Sequence, residues 1–240
     1  MKKKLSILIT LILSFMFCVC GLFACGGLEG DSGEGDNIIQ EEQVDWTTIY
    51  KVQGSVITGL TSYGSSLNEL TIPSKINGIS ITAIGDWAFG EGQFEKVIIS
   101  EGIMVIQANA FRECRKLNTI ILAESITSIG DTAFGCCYAL RNIRIPKNVT
   151  HIAECAFWNC TNLNSVVIGS KVSIIKADAF DACENLRDVF YEGKSFNWAS
   201  ITIQEGNDCL KDAKIYYYSE KSPTSAGNFW YYTDGKATKW

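Results

Sequence analysis

Along residues 67–191 the large apolar residues recur in two interleaved patterns. In the first, an apolar residue is followed by two more, three and five positions on: Leu67/Leu70/Ile72, Phe94/Val97/Ile99, Leu117/Ile120/Leu122, Leu140/Ile143/Ile145, Leu163/Val166/Ile168 and Leu186/Val189/Tyr191. The pair two apart has strand periodicity, which turns both side chains to one face and the residue between them to the other. The second pattern ends in Ala-Phe, with the Phe at 89, 111, 134, 157 and 180, in steps of 22, 23, 23 and 23. A short apolar pair three apart precedes each Ala-Phe: Ile81/Ile84, Ile103/Ile106, Ile126/Ile129, Val149/Ile152 and Val172/Ile175. Ala-Phe-x-x-Cys-x-x-Leu then has one-turn helical spacing, which predicts Phe, Cys and Leu packed on one side. Each period supplies one thin apolar layer, so it closes a core only by stacking on its neighbours. Six strand elements therefore predict a β-rich α/β solenoid of about six turns over residues 46–191.

The recurring sentence Leu-x-x-Ile-x-Ile-Pro-x-x-Val-x-x-Ile-x-x-x-Ala-Phe-x-x-Cys, complete around Leu140 to Cys160, resembles the leucine-rich repeats of the BspA-like bacterial surface proteins. The resemblance covers residues 46–240 and implies a right-handed solenoid on a bacterial surface. It also implies adhesion to host matrix proteins or to other cells. This protein departs from the general leucine-rich consensus at Gly102, Ser125, Asn148 and Lys171, where an Asn or Cys ladder would stand, so no side-chain ladder is expected there. The first turn carries about five inserted residues around Asn77-Gly78.

If Leu70 and Ile72 point inward, Thr71 points out, and stacking extends that outward column through Ile98, Ile121, Arg144, Val167 and Phe190. The neighbouring column reads Glu69, Lys96, Thr119, Asn142, Ser165 and Asp188. Four of six residues in the first column are large and apolar around an Arg, a composition found at protein contact sites. Strand propensity alone also favours β-branched residues there, so the column is a candidate ligand face weighed against that plainer origin.

After Tyr191 the repeat fades and aromatic residues concentrate, with 12 of the 27 lying between Phe190 and Trp240. An open solenoid end needs a cover, so residues 192–240 are expected to form a cap. Ile201, Ile203, Ile215 and Tyr217 alternate like strand residues, and Asp234-Gly235 signals a hairpin turn after Phe229-Trp230-Tyr231-Tyr232. The phrase from Gly227 to Gly235 also looks like one unit of the choline-binding or cell-wall-binding repeats, which implies attachment to wall polymer as a second reading.

The N-terminus changes the picture of where the protein works. Lys2, Lys3 and Lys4 precede 16 apolar-dominated residues, 5–20, too few for a spanning helix of about 20. Leu22-Phe23-Ala24-Cys25 resembles the lipobox of bacterial lipoproteins, which implies a signal peptide at 1–24 and a lipid on Cys25. Residues 26–45 hold five Gly and seven acids, a composition that predicts a flexible, self-repelling tether over 25–45. Cleavage before Cys25 would leave 18 basic and 26 acidic residues, a net charge of 18 − 26 = −8. Such a protein repels nucleic acid and anionic lipid, so membrane association is expected through the N-terminal lipid only.

Seven cysteines follow Cys25. Cys114, Cys137, Cys160 and Cys183 stand 23 apart, which predicts a buried column of small apolar thiols and not a metal site, since ligands spaced one per turn make a line. An odd number cannot pair fully within one molecule, and a Cys136 to Cys155 bridge stays open. The single His, His151, has no Ser or Cys partner marked out by repeat spacing, so no catalytic residue is assigned and neither an enzymatic activity nor a cofactor is expected.

Overall fold

The computed structural model describes residues 44–224 and 227–240, so the signal, Cys25 and the tether up to residue 43 lie outside the described residues. Nineteen strands follow one another along the described residues. One face of the solenoid carries β3 (Glu69–Ile72), β7 (Lys96–Ile99), β9 (Thr119–Ile121), β11 (Asn142–Arg144), β13 (Ser165–Ile168), β15 (Asp188–Tyr191) and β17 (Lys214–Tyr218). A second face carries β2 (Val56–Leu60), β6 (Ala83–Ile84), β8 (Val105–Ile106), β10 (Ser128–Ile129), β12 (His151–Ile152), β14 (Ile174–Ile175) and β16 (Thr202–Ile203). Within each face neighbouring strands are parallel and in register, for example Val166 with Val189 and Ile106 with Ile129, except that β9 and β11, and β10 and β12, fall in separate sheets. The inward pairs are buried as their spacing predicts, with Leu70, Ile72, Val97, Ile99, Ile143 and Ile145 all sealed.

The Ala-Phe segments close the third side of each turn, and they are not helical. Successive i to i+3 bonds, such as Gly135 N–H to the Thr132 carbonyl at 3.0 Å, fold them as consecutive tight turns. Two residues per turn take the left-handed conformation: Trp87, Asn109, Thr132, Cys155 and Asp178 before Ala-Phe, and Glu91, Glu113, Cys136, Asn159 and Ala182 after it. That conformation costs a non-glycine residue about 1–2 kcal/mol, so the stacked turns must fix it.

They do so with three contacts that repeat along the axis. The Phe89, Phe111, Phe134 and Phe157 N–H groups donate to the Ala110, Ala133, Ala156 and Ala179 carbonyls of the next turn at 2.8–2.9 Å. The rings of the same residues and Phe180 stack at 5.1, 5.3, 5.4 and 5.3 Å between centroids. The thiols of Cys114, Cys137, Cys160 and Cys183 donate to the Phe89, Phe111, Phe134 and Phe157 carbonyls of the preceding turn at 3.1–3.2 Å. A buried cysteine thus gives a small apolar body and one donor for a carbonyl that would otherwise be under-satisfied. Cys136 and Cys155 are unbridged and stand in different columns, one after and one before Ala-Phe.

Both ends are closed by irregular segments. At the start, β1 (Tyr50–Gln53) pairs antiparallel with β2, and β2 begins the second face. Buried Tyr50 meets Phe89 edge-on at 6.2 Å and donates its hydroxyl to the Thr71 carbonyl at 2.7 Å, and burial pushes its phenol pKa up. Val44 packs on the core and the Asp45 carboxylate accepts from the Thr47 N–H, so the packed part includes residues 44 and 45, which the sequence assigned to the tether. The insertion around Asn77-Gly78 is a hairpin of β4 (Lys75–Ile76) and β5 (Ile79–Ser80), with both turn residues at positive φ as Asn-Gly turns require.

At the other end the repeat does not stop at Tyr191. Short helices α1 (Ser195–Trp198) and α2 (Asp208–Asp212) frame a further turn in which β16 follows β14 and β17 follows β15, making seven rows. Asn207 replaces the missing Ala-Phe: its side-chain oxygen accepts the Phe180 N–H at 3.0 Å, and its amide donates to the Lys176 carbonyl at 2.8 Å. β18 (Phe229–Thr233) and β19 (Lys236–Lys239) then form a hairpin turned by Asp234 and Gly235. β18 pairs with β17 only at Tyr217 and Tyr218, and the hairpin packs on the outer surface of the first face. Trp230 is fully buried there against Val167, Phe190 and Tyr216, with its indole N–H on the Tyr191 carbonyl at 2.9 Å.

Two measurements check this packing. A thiol reagent should reach Cys155 and Cys209 in the folded protein, the two that are only partly buried, and the remaining five described thiols only after unfolding. Burial raises the pKa of Cys137 and Cys183 and pushes Cys114 up to about 12 from 9.0, so the folded state keeps protons that the unfolded state releases. The contribution of these thiols to stability should therefore be constant below pH 9 and fall above it, by up to about 1.4 kcal/mol per pH unit for each such thiol, read as a loss of stability between pH 9 and 11. Trp230→Ala should cost about 3–5 kcal/mol of hairpin docking and open residues 229–239 to protease, while far-ultraviolet dichroism of the solenoid persists.

Candidate functional site: the strand face

The first strand face brings the two sequence-predicted columns together in register. β3 to β9 place Thr71, Ile98 and Ile121 in one outward row, and β11 to β15 continue it with Arg144, Val167 and Phe190. Beside it run Glu69, Lys96, Thr119, Asn142, Ser165 and Asp188, tied by Lys96 to Glu69 at 3.3 Å and by the Ser165 hydroxyl to Asn142 at 2.7 Å.

The row is not free along its whole length. Ile121 is 51% exposed, whereas Val167 and Phe190 are buried at 9% and 5% beneath the hairpin. The expectation of six open positions is corrected at these two, because aromatic side chains from the C-terminal hairpin cover them. Phe190 stacks on Tyr216 at 5.3 Å and meets Trp230 at 5.6 Å. Lys239 of the hairpin reaches Asp188 at 2.7 Å and lies 4.7 Å over the Tyr216 ring.

Arg144, at the centre of the row, pins this cover down. Its Nε donates to the Tyr232 hydroxyl at 2.7 Å, one terminal nitrogen to Glu192 at 2.8 Å, and the other to Glu124. The Tyr232 hydroxyl in turn donates to Glu192 at 2.5 Å. Burial works against the guanidinium charge, but the bonds to Tyr232 and Glu192 outweigh it and hold the Arg144 pKa above its ordinary value. Burial, and then the Glu192 carboxylate, push the Tyr232 phenol up. Arg144 is thus committed inside the molecule. Its pairing was invisible in the sequence, since Tyr232 lies 88 residues away. One signal was available: Trp230 and Tyr232 alternate toward one side of a strand, and the outward row becomes bulkier toward Phe190, so two apolar surfaces lacked partners.

Among the described residues no continuous side-chain ladder runs through Gly102, Ser125, Asn148 and Lys171, as their mixed types lead one to expect, and the bonds at these positions are of different kinds. The Gly102 N–H donates to the Ser125 hydroxyl at 3.0 Å, Asn148 donates to the Glu124 carbonyl at 2.9 Å, and Lys171 donates to the Asn148 side-chain oxygen at 2.9 Å.

One joint between turns differs from the rest. On the first face the N–H groups of Glu95, Asn118, Asn164, Arg187 and Lys214 each donate to the preceding row at 2.7–3.0 Å. On the second face Thr82, Met104, Thr127, Ser173 and Thr202 do the same at 2.8–2.9 Å. Among the described residues Arg141 and Thr150, at the equivalent positions of the fourth turn, make no such bond, and β9 and β11 belong to separate sheets. The Ala-Phe side is unbroken there, with Phe134 bonded to Ala156 and its ring 5.4 Å from that of Phe157. Pro146 contributes to the seam, since it has no N–H to give the row before it. Pro73, at the same repeat position, belongs to the first row of that face and has no earlier row to lose. Side chains bridge the gap instead: Glu124 accepts from Arg144 and from the Lys147 N–H at 3.3 Å, and Asp131 from the Glu154 N–H at 3.1 Å. On the outer face the seam opens a cleft of about 600 Å³ lined by Asn118, Thr119, Ala139, Arg141, Asn142 and Asn162.

His151 is half-buried on β12, with its Nδ1 3.4 Å from the Thr150 hydroxyl. Among the described residues no group of three or more His, Cys, Asp or Glu is placed to hold a metal ion.

The family model for the BspA type leucine rich repeat region matches residues 82–202 with six copies, just over half of the 240 residues. A leucine rich cell surface protein from Faecalibacterium prausnitzii is 29% identical with a TM-score of 0.54, over 60% of this protein and 38% of that one. The pneumococcal vaccine antigen PcpA shares the fold at 18% identity and a TM-score of 0.57, over 71% of this protein and 41% of that one. A leucine-rich repeat protein from Eubacterium ventriosum does so at 18% identity and 0.56, over 80% and 55%. The chain therefore spans less than two thirds of the length of each of these proteins. No curated protein matches it. Its repeats, their spacing and the solenoid they build make one statement with the matching model: the protein belongs to the BspA-type leucine-rich repeat family.

Proposed function

We propose that this protein works on the outer face of a bacterial membrane, held by a lipid on Cys25, and that its solenoid binds a protein ligand as an adhesion module. The observation that carries the reading is the uncovered half of the strand face: Ile121 stands half exposed in an outward row whose continuation at Val167 and Phe190 is sealed. An exposed apolar residue on β9, the edge strand of the β3, β7 and β9 sheet, beside Lys96 and Thr119 and facing Asn142 across the unpaired joint, has the composition of a contact patch and not of a solvated surface. Thr71 and Ile98 extend it toward the N-terminal end. The description of the Faecalibacterium relative as a cell surface protein supports the location. Binding by side chains of a rigid repeat needs no nucleophile or metal, in keeping with a site made of Thr, Ile, Asn and Lys.

The aromatic C-terminus, the alternative attachment point to wall polymer, spends Trp230 and Tyr232 on the hairpin contacts, so the strand face is the better site. The test is a panel of immobilised fibronectin, fibrinogen, mucin, cell-wall polymer and the protein itself, on cells and with purified protein. Saturable binding to one protein ligand is expected, reduced at least about tenfold by Ile121→Glu, which desolvates a charge in the interface. Cys25→Ala should release the protein from the membrane with that binding intact. Binding to wall polymer alone, insensitive to Ile121→Glu and lost with Trp240→Ala, would refute the proposal.

A further inference from the structure

The seam cleft has an uneven set of hydrogen-bonding groups. The Asn118 side-chain oxygen already accepts from the Thr119 hydroxyl at 2.8 Å, and that of Asn142 accepts from Ser165 at 2.7 Å. Each of these residues therefore has its NH2 group to spare. Asn162 is the reverse case, because its NH2 donates to the Tyr138 carbonyl at 2.8 Å. Arg141 is exposed and makes no ion pair among the described residues, and its backbone N–H lacks the partner that the equivalent Asn118, Asn164 and Arg187 N–H groups find. Among the described residues no carboxylate lines the cleft, in a protein with 26 Asp and Glu against 21 Lys and Arg. The uncommitted groups are thus a guanidinium, two amide NH2 groups and a backbone N–H, facing one free amide oxygen.

We infer that this cleft is a carboxylate-recognising subsite of the strand face, in which Arg141 supplies the charge and the Asn118 and Asn142 amides fix the orientation. A planar carboxylate has two oxygens, each accepting from more than one donor, and a guanidinium meets it with a matching fork. Neutral amides beside the Arg add directional donors without a competing positive charge. The inference rests on the reading of the strand face as a binding face and gives the ligand a chemistry: an apolar group over Ile121 next to a carboxylate in the cleft. That carboxylate is either an Asp or Glu side chain or the C-terminal carboxylate of a polypeptide.

The origin of the site lies in the broken joint. In a continuous ladder Arg141 N–H would be consumed by the Asn118 carbonyl, and the two Asn side chains would stand over a closed row. The unpaired joint opens the space between them without disturbing the Phe stack behind it.

The test is a nitrogen-15 NMR titration of the protein with three small probes: N-acetyl-glutamate N-methylamide, N-acetyl-glutamine N-methylamide and N-acetyl-alanine with a free C-terminus. At least one carboxylate probe should shift the Asn118 and Asn142 side-chain NH2 signals and the Arg141 backbone amide saturably, at millimolar concentration. The glutamine probe should shift none of them. Which carboxylate probe binds more tightly identifies the source. Arg141→Gln, an exposed substitution that spares the core, should weaken binding about tenfold, the loss expected for a charge-assisted bond. Equal shifts with glutamate and glutamine, no saturation with either carboxylate, or binding unchanged in Arg141→Gln would each overturn the inference. These probes need no protein ligand, so a panel that yields none leaves this result informative, and a failed titration leaves adhesion by the strand face standing.

Discussion

The Ala-Phe hydrogen bond and the phenylalanine stack it carries set the pitch on which the rest of the solenoid depends. A Phe N–H reaches the Ala carbonyl of the next turn, the ring lies 5.1–5.4 Å from its neighbour, and a cysteine thiol of the next turn comes back to the same Phe carbonyl. Each contact is modest, about 1 kcal/mol net for a neutral hydrogen bond. Repeated at a fixed column they hold ten left-handed residues in place and align two strand faces with no long element anywhere among the described residues. Where the stack ends, a substitute appears: Tyr50 edge-on at the start and the Asn207 side chain at the finish. A nearest-neighbour structure of this kind fails at its ends first, so the two buried polar groups there are as much a part of the spine as the phenylalanines.

Function follows from what that spine leaves undetermined. Because one side of each turn fixes the stacking, the strand side is free to vary without unfolding the protein. The molecule uses that freedom twice. The hairpin covers the bulky part of the outward row through Trp230 and the Arg144, Tyr232 and Glu192 bonds, and the joint after β9 opens a polar cleft beside Ile121. Arg144 sits between the two, joined to Glu124 across the seam and to the hairpin on its other side. An arginine that a sequence column offered as a binding residue serves instead to hold the boundary between the covered and the open halves of the face.

The repeats, their inward residues and the thiol column were legible because each is a local spacing copied turn after turn. Ile143 and Ile145 point inward for the same reason as Val166 and Ile168, and one turn teaches the next. The Ala-Phe segment reads as helical in sequence because apolar spacing of three and four also fits consecutive tight turns, and positive φ at residues such as Thr132 leaves no mark in side-chain type. The seventh row was hidden because Asn207 does with a side chain what Ala-Phe does with a backbone. The site was half legible: Thr119 and Asn142 stand on the predicted columns and line the cleft, whereas Arg141 and Asn118, one position earlier, lie outside them. The hairpin's part in covering Val167 and Phe190 depended on Trp230, 40 or more residues further along the sequence, which no periodicity encodes.

The phenylalanine spine is continuous through the fourth turn while the strand side is not. Amide hydrogen exchange residue by residue tests it directly. The Phe111, Phe134 and Phe157 amides should exchange at similar, slow rates, while the Arg141 and Thr150 amides exchange at least about a hundredfold faster than their repeat equivalents Asn164 and Ser173, since unpaired amides need no opening. Arg141 and Thr150 amides as protected as Asn164 and Ser173, or a Phe134 amide as fast as they are, would contradict the account.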